Sequence, residues 1–248
     1  MKFYGLTDAG LVRKNNQDCY RLKRCDSAKA LVAVLCDGVG GANAGEVASA
    51  LATDCFVEHV AARLSSRTGK KPEPERVLRA ACLEANTSVY EYSCFDFSFR
   101  GMGTTLVGGI VYDSGRLVLA NIGDSRAYLI SRQKKTIEQL TKDHSLVFEM
   151  YLKGFLTKEE ARTHPKSNII TRAIGSSEFE DCDIYEFQLE KGDVLILCSD
   201  GLSDYVPDEA ILSSVLQSED ESICLNLLGR SYAGGAGDNV TVVAVVNE

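Results

Sequence analysis

Ala30-Leu-Val-Ala-Val-Leu-Cys-Asp-Gly-Val-Gly-Gly-Ala-Asn-Ala-Gly-Glu46 carries a strand, a turn and the start of a helix in one span. Leu31 to Cys36 is an unbroken apolar run, the pattern of a strand covered on both faces. The run stops at Asp37-Gly38, and Gly40 and Gly41, without a Cβ, let the backbone turn sharply. Asn43 followed by Glu46 matches a capping box, opening a helix expected to reach about Arg63. A carboxylate at the end of a buried strand, on a Gly-rich turn, is placed to hold a metal or meet a phosphate. One Asp-Gly alone is more often a polar turn and nothing else.

The pattern recurs, and the recurrence favours chemistry. Val194-Leu-Ile-Leu-Cys-Ser-Asp-Gly201 is a second apolar strand ending in Asp-Gly. Leu117-Val-Leu-Ala-Asn-Ile-Gly-Asp-Ser125 is a third, and Gly237-Asp238-Asn239 opens a fourth, Val240 to Val246. Such strands can bring Asp37, Asp124, Asp200 and Asp238 to one edge of a core. A cluster of carboxylates repels itself unless cations sit in it, and oxygen-only ligands suit hard divalent ions such as Mg²⁺ or Mn²⁺.

Composition bounds the rest. With 248 residues, only four Pro and no Ser/Gly tract or long charge run, one domain over 1–248 is expected. A formal net charge of −8 argues against non-specific nucleic-acid binding and against an anionic membrane surface. The opening Met1-Lys-Phe-Tyr-Gly-Leu-Thr-Asp-Ala-Gly lacks the apolar core of a signal peptide, and no run is long enough to span a membrane. The nine Cys show no Cys-x-x-Cys spacing, and Cys36, Cys55, Cys82, Cys198 and Cys224 read as small buried hydrophobes. A cytoplasmic, monomeric protein is expected.

Along the chain, Phe3 to Leu6 reads as a short strand and Asp8 to Asp18 as a polar loop holding Arg13. In solvent such a loop needs no function; in a site, Arg13 offers a planar fork for phosphate and Asp18 turns toward the metals. Glu75 to about Tyr92 is a second long helix. Gly103–Tyr112 and Arg116–Ile122 form a hairpin across Asp113-Ser-Gly115, and Ala127–Ile130 is a further strand. From Thr141 the strand rhythm breaks: a helix from Leu146 and a capping box at Thr157…Glu160 mark a flap over about 141–178. Strands at Ile184–Leu189 and Val194–Cys198, helices at about Asp208–Leu216 and Ser222–Ser231, and the last strand complete the order. Hairpin-linked strands without regular βαβ alternation favour an α+β fold with antiparallel sheets.

Seven motifs in this order resemble a known family: Arg13-Lys-Asn-Asn-Gln-Asp18, Asp37-Gly-Val-Gly-Gly41, Gly103-Thr-Thr105, Gly123-Asp-Ser-Arg126, Thr171-Arg-Ala-Ile-Gly175, Ser199-Asp-Gly-Leu202 and Gly237-Asp-Asn239. The chain is similar to metal-dependent serine/threonine protein phosphatases of type 2C in their compact bacterial form. The resemblance implies a four-layer αββα sandwich, two antiparallel sheets flanked by pairs of helices. It implies that Asp37 bridges two Mn²⁺ or Mg²⁺ ions, that the Gly38 carbonyl binds one, and that Asp200 and Asp238 complete the other. Asp18 would act on the Gly38 side, and Asp124, with Asp200 and Asp204, would form a third, weaker metal site. Arg13 would hold the substrate phosphate, while Asn239 would orient the Asp238 loop. Phosphorylated proteins, the targets of a Ser/Thr kinase of the same cell, are the implied partners.

In the two-metal chemistry of such a site, a water shared by both ions attacks phosphorus in line, and no phosphoenzyme forms. Animal members place a His two residues after the bridging Asp; here, as in bacterial relatives, that position is apolar, Val39. The proton donor is then a metal-bound water or His144 of the flap, though a structural role is commoner for a lone histidine. Two rival readings fit the sequence less well. Cys-x5-Arg spacing occurs at Cys94…Arg100 and Cys224…Arg230, but the intervening residues are bulky or helical and unfit to cradle phosphate. A pseudophosphatase that only binds phosphoproteins would be expected to lose a metal Asp, and Asp37, Asp200 and Asp238 are all present.

Overall fold

Strand β3 (Ala30–Val39) sends alternate residues to opposite faces, and both faces are covered. Val32, Val34 and Cys36 pack against helices α1 (Ala44–Ser65) and α2 (Pro74–Phe95), meeting Phe56, Val60, Leu78 and Val89. Leu31, Ala33 and Leu35 point the other way, into a core shared with Leu195, Leu197, Val243 and Val245 of a second sheet. The run therefore has no polar face, although every pairing of its sheet is antiparallel. The computed structural model describes residues 1–39, 44–66, 73–95, 97–162 and 164–248. The expected cap at Asn43, the turn at Gly40 and Gly41, most of the 68–74 loop and Asp96 lie outside the described residues.

The first sheet runs β2 (Asp18–Cys25), β3, β5 (Leu106–Tyr112), β6 (Arg116–Ile122), β9 (Asp183–Gln188), with β4 (Gly103–Thr104) on the end of β3. The second runs β1 (Lys2–Asp8), β11 (Val240–Val246), β10 (Val194–Cys198), β7 (Arg126–Ser131), β8 (Thr136–Gln139). Helices α6 (Asp208–Gln217) and α7 (Ile223–Gly234) cover its outer face, where Ile211, Val215, Ile223 and Leu227 meet Ile196, Val242 and Ala244. The layers are helix, sheet, sheet, helix, the α+β sandwich expected. No helix among the described residues is long and apolar enough to cross a membrane.

The structure revises some boundaries. β2 follows directly on the loop that ends at Asp18, a strand the sequence reading did not assign. Its outward polar positions pair with α1 at the surface: Arg21 donates to Asp54 (2.8 Å) and Lys23 to Glu58 (2.7 Å), while Tyr20 and Leu22 face the inter-sheet core. β3 continues past Asp37, because Gly38 and Val39 pair with Thr104 and Gly103 of β4. Edge strand β8 was also unassigned. The flap holds two short helices, α3 (Leu146–Leu152) and α4 (Lys158–Arg162). Ser145 caps α3, and the Thr157…Glu160 box forms, Glu160 Oε2 accepting from Thr157 N (2.8 Å) and Glu160 N donating to Thr157 Oγ1 (3.2 Å).

Candidate active site

β2 and β3 pair with Asp18 opposite Asp37. Asp18 is buried, and Ser199 Oγ, at the end of β10 in the other sheet, donates to its Oδ2 at 2.7 Å. Ser199 in turn receives Thr241 N of β11 on Oγ (3.0 Å) and gives its own N–H to the Thr241 carbonyl (3.1 Å). One serine thus joins the two sheets at the edge where α5 (Asp200–Ser203) begins with Asp200 and where Asp238 leads into β11. The Thr-Thr pair of Gly103-Thr-Thr105 clamps Asp37: Thr104 Oγ1 and Thr105 N donate to its carbonyl (2.8 Å each), and its N–H goes to Thr105 Oγ1 (2.9 Å). Thr105 Oγ1 also meets Ser125 Oγ at 2.7 Å, tying in the turn that carries Asp124. Gly38 has to be glycine, since a Cβ there would run into the Gly45 carbonyl of α1.

The loop with Arg13 is laid over this edge by Asn239. Its Oδ1 accepts from Gln17 N (2.8 Å), and its Nδ2 donates to the carbonyls of Ala9 (3.1 Å) and Asn15 (2.9 Å). With the amide fully used in this way, Asn239 holds the loop. Arg13 Nη2 donates to Asp238 Oδ2 at 2.7 Å, its side chain 54% exposed at the rim. Asp37 and Asp200 lie near enough to add to the field that raises its pKa, Asp238 contributing most.

The carboxylates feel one another strongly. Burial first, then Asp18, Asp200, Asp124 and Asp238, push Asp37 well above the usual carboxylate range. Asp200 is pushed the same way by burial and by Asp124, Asp204, Asp238 and Asp18. Asp18 rises to about 6, burial outweighing the Ser199 hydrogen bond, and Asp124 to about 7 through burial, Asp143 and Asp204. Among the described residues no three carboxylate, imidazole or thiol side chains already close on one point as a coordination shell. Among the described residues, Asp18 Oδ1 and Asp200 Oδ1 are buried without a hydrogen-bond partner. Orphaned anionic oxygens in a buried site cost several kcal/mol each, which fits hard cations as their counterpart.

Asp124, Asp200 and Asp204 also line one end of a cavity of about 490 Å³, whose other wall is Val147, Phe148 and Tyr151 of the flap. Its floor is an ion pair that sequence reading missed: Asp143 accepts from Arg126 Nη2 (2.6 Å) and Nε (3.0 Å) and from Gln139 Nε2 (2.7 Å). Ser199, Thr105 and Arg126 stood inside the quoted motifs without an assigned role; Asp143 carried no signal. His144 is turned inward. Its Nδ1 accepts from Gly123 N (3.1 Å), and its Nε2 lies 3.3 Å from Asp183 Oδ2 and 3.0 Å from Arg172 Nη1. Both nitrogens serve the frame behind Asp124, so His144 is not presented to a leaving group. The cysteine alternatives also lie elsewhere: Cys224 is buried in α7 with its thiol pushed up to about 12, and Arg100 sits over the Phe97 ring.

Comparison with known proteins bears on the same residues. A family model described as "Protein phosphatase 2C" matches residues 12–222. The chain belongs to the protein phosphatase 2C family. The serine/threonine phosphatase stp of Listeria welshimeri is 36% identical over 242 residues, covering 96% of this chain and 93% of that one. The crystal structure of the serine/threonine phosphatase Stp1 from Staphylococcus aureus superposes with a TM-score of 0.90 at 35% identity, covering 100% of this chain and 95% of that one. A third relative is the catalytic domain of the serine/threonine protein phosphatase PstP in complex with two manganese ions, with a TM-score of 0.83 at 33% identity, 98% of this chain and 96% of that one being covered. In this phosphatase 2C chain the family match takes in Arg13, Asp18, Asp37, Gly38, Asp124, Asp200 and Asp204, while Asp238 and Asn239 lie beyond it and join the edge through β11.

Proposed function

We propose that this chain is a protein-serine/threonine phosphatase that hydrolyses phosphoserine and phosphothreonine with two Mn²⁺ or Mg²⁺ ions and without a phosphoenzyme. The observation that carries the proposal is the sheet edge itself. Asp18 and Asp37 lie on paired strands of one sheet and Asp200 and Asp238 beside the ends of β10 and β11 of the other, and among the described residues one oxygen each of Asp18 and Asp200 is buried and unpartnered. Asp37, Asp200, Asp238 and the Gly38 carbonyl are the proposed ligands, Asp18 supports the Gly38 side, and Asp124, Asp200 and Asp204 are proposed for a third, weaker ion. When bound, such ions supply Lewis acidity, making water a competent nucleophile near neutral pH and offsetting charge on the phosphoryl oxygens.

The chain's own residues divide the remaining work. Ser199 and the Thr104–Thr105 clamp fix Asp18 and Asp37, so little reorganisation is needed when charge develops. Arg13, held beside Asp238 and open to solvent, turns its remaining guanidinium donors toward the incoming phosphate. Burial pushes the neighbouring Cys36 thiol well above its usual range, so it offers no nucleophile. The whole chain, 1–248, would act as one unit with 141–178 as a flap over the cleft. Its substrates would be phosphorylated targets of a Ser/Thr kinase in the same cytoplasm.

The deciding measurement is hydrolysis of a phosphothreonine peptide with Mn²⁺, with Mg²⁺ and with EDTA. Turnover that requires metal and survives vanadate supports the proposal. Absence of turnover from folded, Mn²⁺-binding protein would make it a phosphoprotein-binding pseudophosphatase, and metal-independent, thiol-dependent turnover would overturn the site.

A further inference from the structure

Away from the cleft, α2 is laced to the strap that leads from the flap into β9. Arg79, Cys82 and Asn86 follow one another at helical spacing and share a stripe of α2. Arg79 Nη1 donates to the Cys182 carbonyl (2.9 Å) and to Asp181 Oδ1 (2.9 Å). Asn86 Nδ2 donates to the carbonyls of Ser177 (3.1 Å) and Glu178 (3.2 Å), and its Oδ1 accepts from Gly175 N (2.7 Å). Between these two anchors the free thiols of Cys82 and Cys182 are in hydrogen-bonding contact, both side chains buried in the α1–α2 core.

We propose that Cys82 and Cys182 are a thiol–disulfide modification site, closed by a peroxide and opened by a dithiol, that locks the root of the flap to α2. Thiols already in contact need only close to about 2.05 Å, and the five anchoring hydrogen bonds, four of them to the strap's backbone, hold the two segments while they do. The two partners are unequal. The Cys82 hydrogen bond, with help from the Arg79 guanidinium, lowers the Cys182 pKa, whereas Cys82 is raised by its partner and by burial.

The chemistry balances with hydrogen peroxide as oxidant. The Cys182 thiolate attacks one peroxide oxygen, an S–O bond forms, the O–O bond breaks, and hydroxide leaves as water with the thiol proton. Cys82 sulfur then attacks the sulfenic sulfur, the S–S bond forms, the S–O bond breaks, and a second water carries off the Cys82 proton. Two thiols and one peroxide give one disulfide and two waters; a dithiol returns both thiols and is itself oxidised.

The test is wild-type full chain exposed to stoichiometric hydrogen peroxide, alkylated, digested and analysed by mass spectrometry. The expected product is one linked peptide pair carrying Cys82 and Cys182, two hydrogens lighter than the reduced pair and abolished by dithiothreitol. In Cys82→Ala, Cys182 should instead accumulate as a sulfenic acid trapped by dimedone, at least tenfold above wild type. Limited proteolysis between residues 176 and 181 should slow in the oxidised protein. The site is refuted if both cysteines stay alkylatable at a peroxide dose that oxidises exposed Cys94, or if Cys182 links elsewhere; unchanged proteolysis of the linked form refutes the lock.

Discussion

Ser199 touches no proposed substrate, yet its hydroxyl ties the end of β10 to the Asp18 carboxylate across 181 residues of sequence. Removing it should loosen Asp18, which would then keep only its contacts with Thr241 and Asp37. Ser199→Ala is expected to weaken Mn²⁺ binding by roughly 10- to 100-fold, the usual effect of losing a partner that orients a metal ligand. Calorimetric Mn²⁺ titration reads this directly, and Ser199→Thr, which keeps the hydroxyl, should restore most of it. Arg13 works at the rim. Arg13→Ala should raise KM for a phosphopeptide more than it lowers kcat, since the guanidinium binds phosphate in ground and transition states alike. Steady-state kinetics that do not change would remove Arg13 from the site.

At the scale of elements, the joint between the flap and the β6–β7 turn depends on His144. Burial first, then the Arg172 guanidinium, lowers its pKa below 6.5, while Asp183 and Glu180 pull the other way. The folded state therefore resists protonation more than the unfolded chain does. Stability from this joint is present above pH 6.5 and lost as pH falls, because the unfolded state takes the proton first. His144→Gln, which keeps an acceptor for Gly123 N, should flatten this part of the dependence. The check is Tm from pH 5 to 7 for both proteins; parallel curves would show that His144 does not titrate with unfolding.

For the whole molecule, ion binding and folding are coupled through the carboxylate edge. An ion that binds only the folded state adds about 2.7 kcal/mol at a hundredfold excess over its Kd. Mn²⁺ should accordingly raise Tm by several degrees and EDTA should reverse it. In Asp200→Asn the metal-free protein should be as stable as wild type or more so, since one buried, repelled charge is gone, while the Mn²⁺ increment should shrink. Differential scanning calorimetry with and without metal gives both numbers. An Asp200→Asn protein with the full Mn²⁺ increment would take Asp200 out of the metal site.

The continuous apolar run Leu31–Cys36, the strand ends at Asp124, Asp200 and Asp238, and the Thr157…Glu160 box were legible because each is a local signal, complete within a few residues. So was the family, since its motifs are short and keep their order. β2 was not legible. Its Arg21 and Lys23 read as part of a polar loop, and only the fold brings Asp54 and Glu58 of α1 beside them as surface partners. Nor was the inward turn of His144, which depends on Arg172 and Asp183 arriving from the far end of the flap. Sequence alone determined which residue types gather at the strand ends, because glycine turns and apolar periodicity act over one or two turns of chain. Only the tertiary structure decided their company: Asp37 with Asp18, Arg13 with Asp238 across 225 residues, and Cys82 with Cys182. Those pairings follow from strand register within a sheet, from the meeting of the two sheets and from helix docking, all set by packing of the whole core.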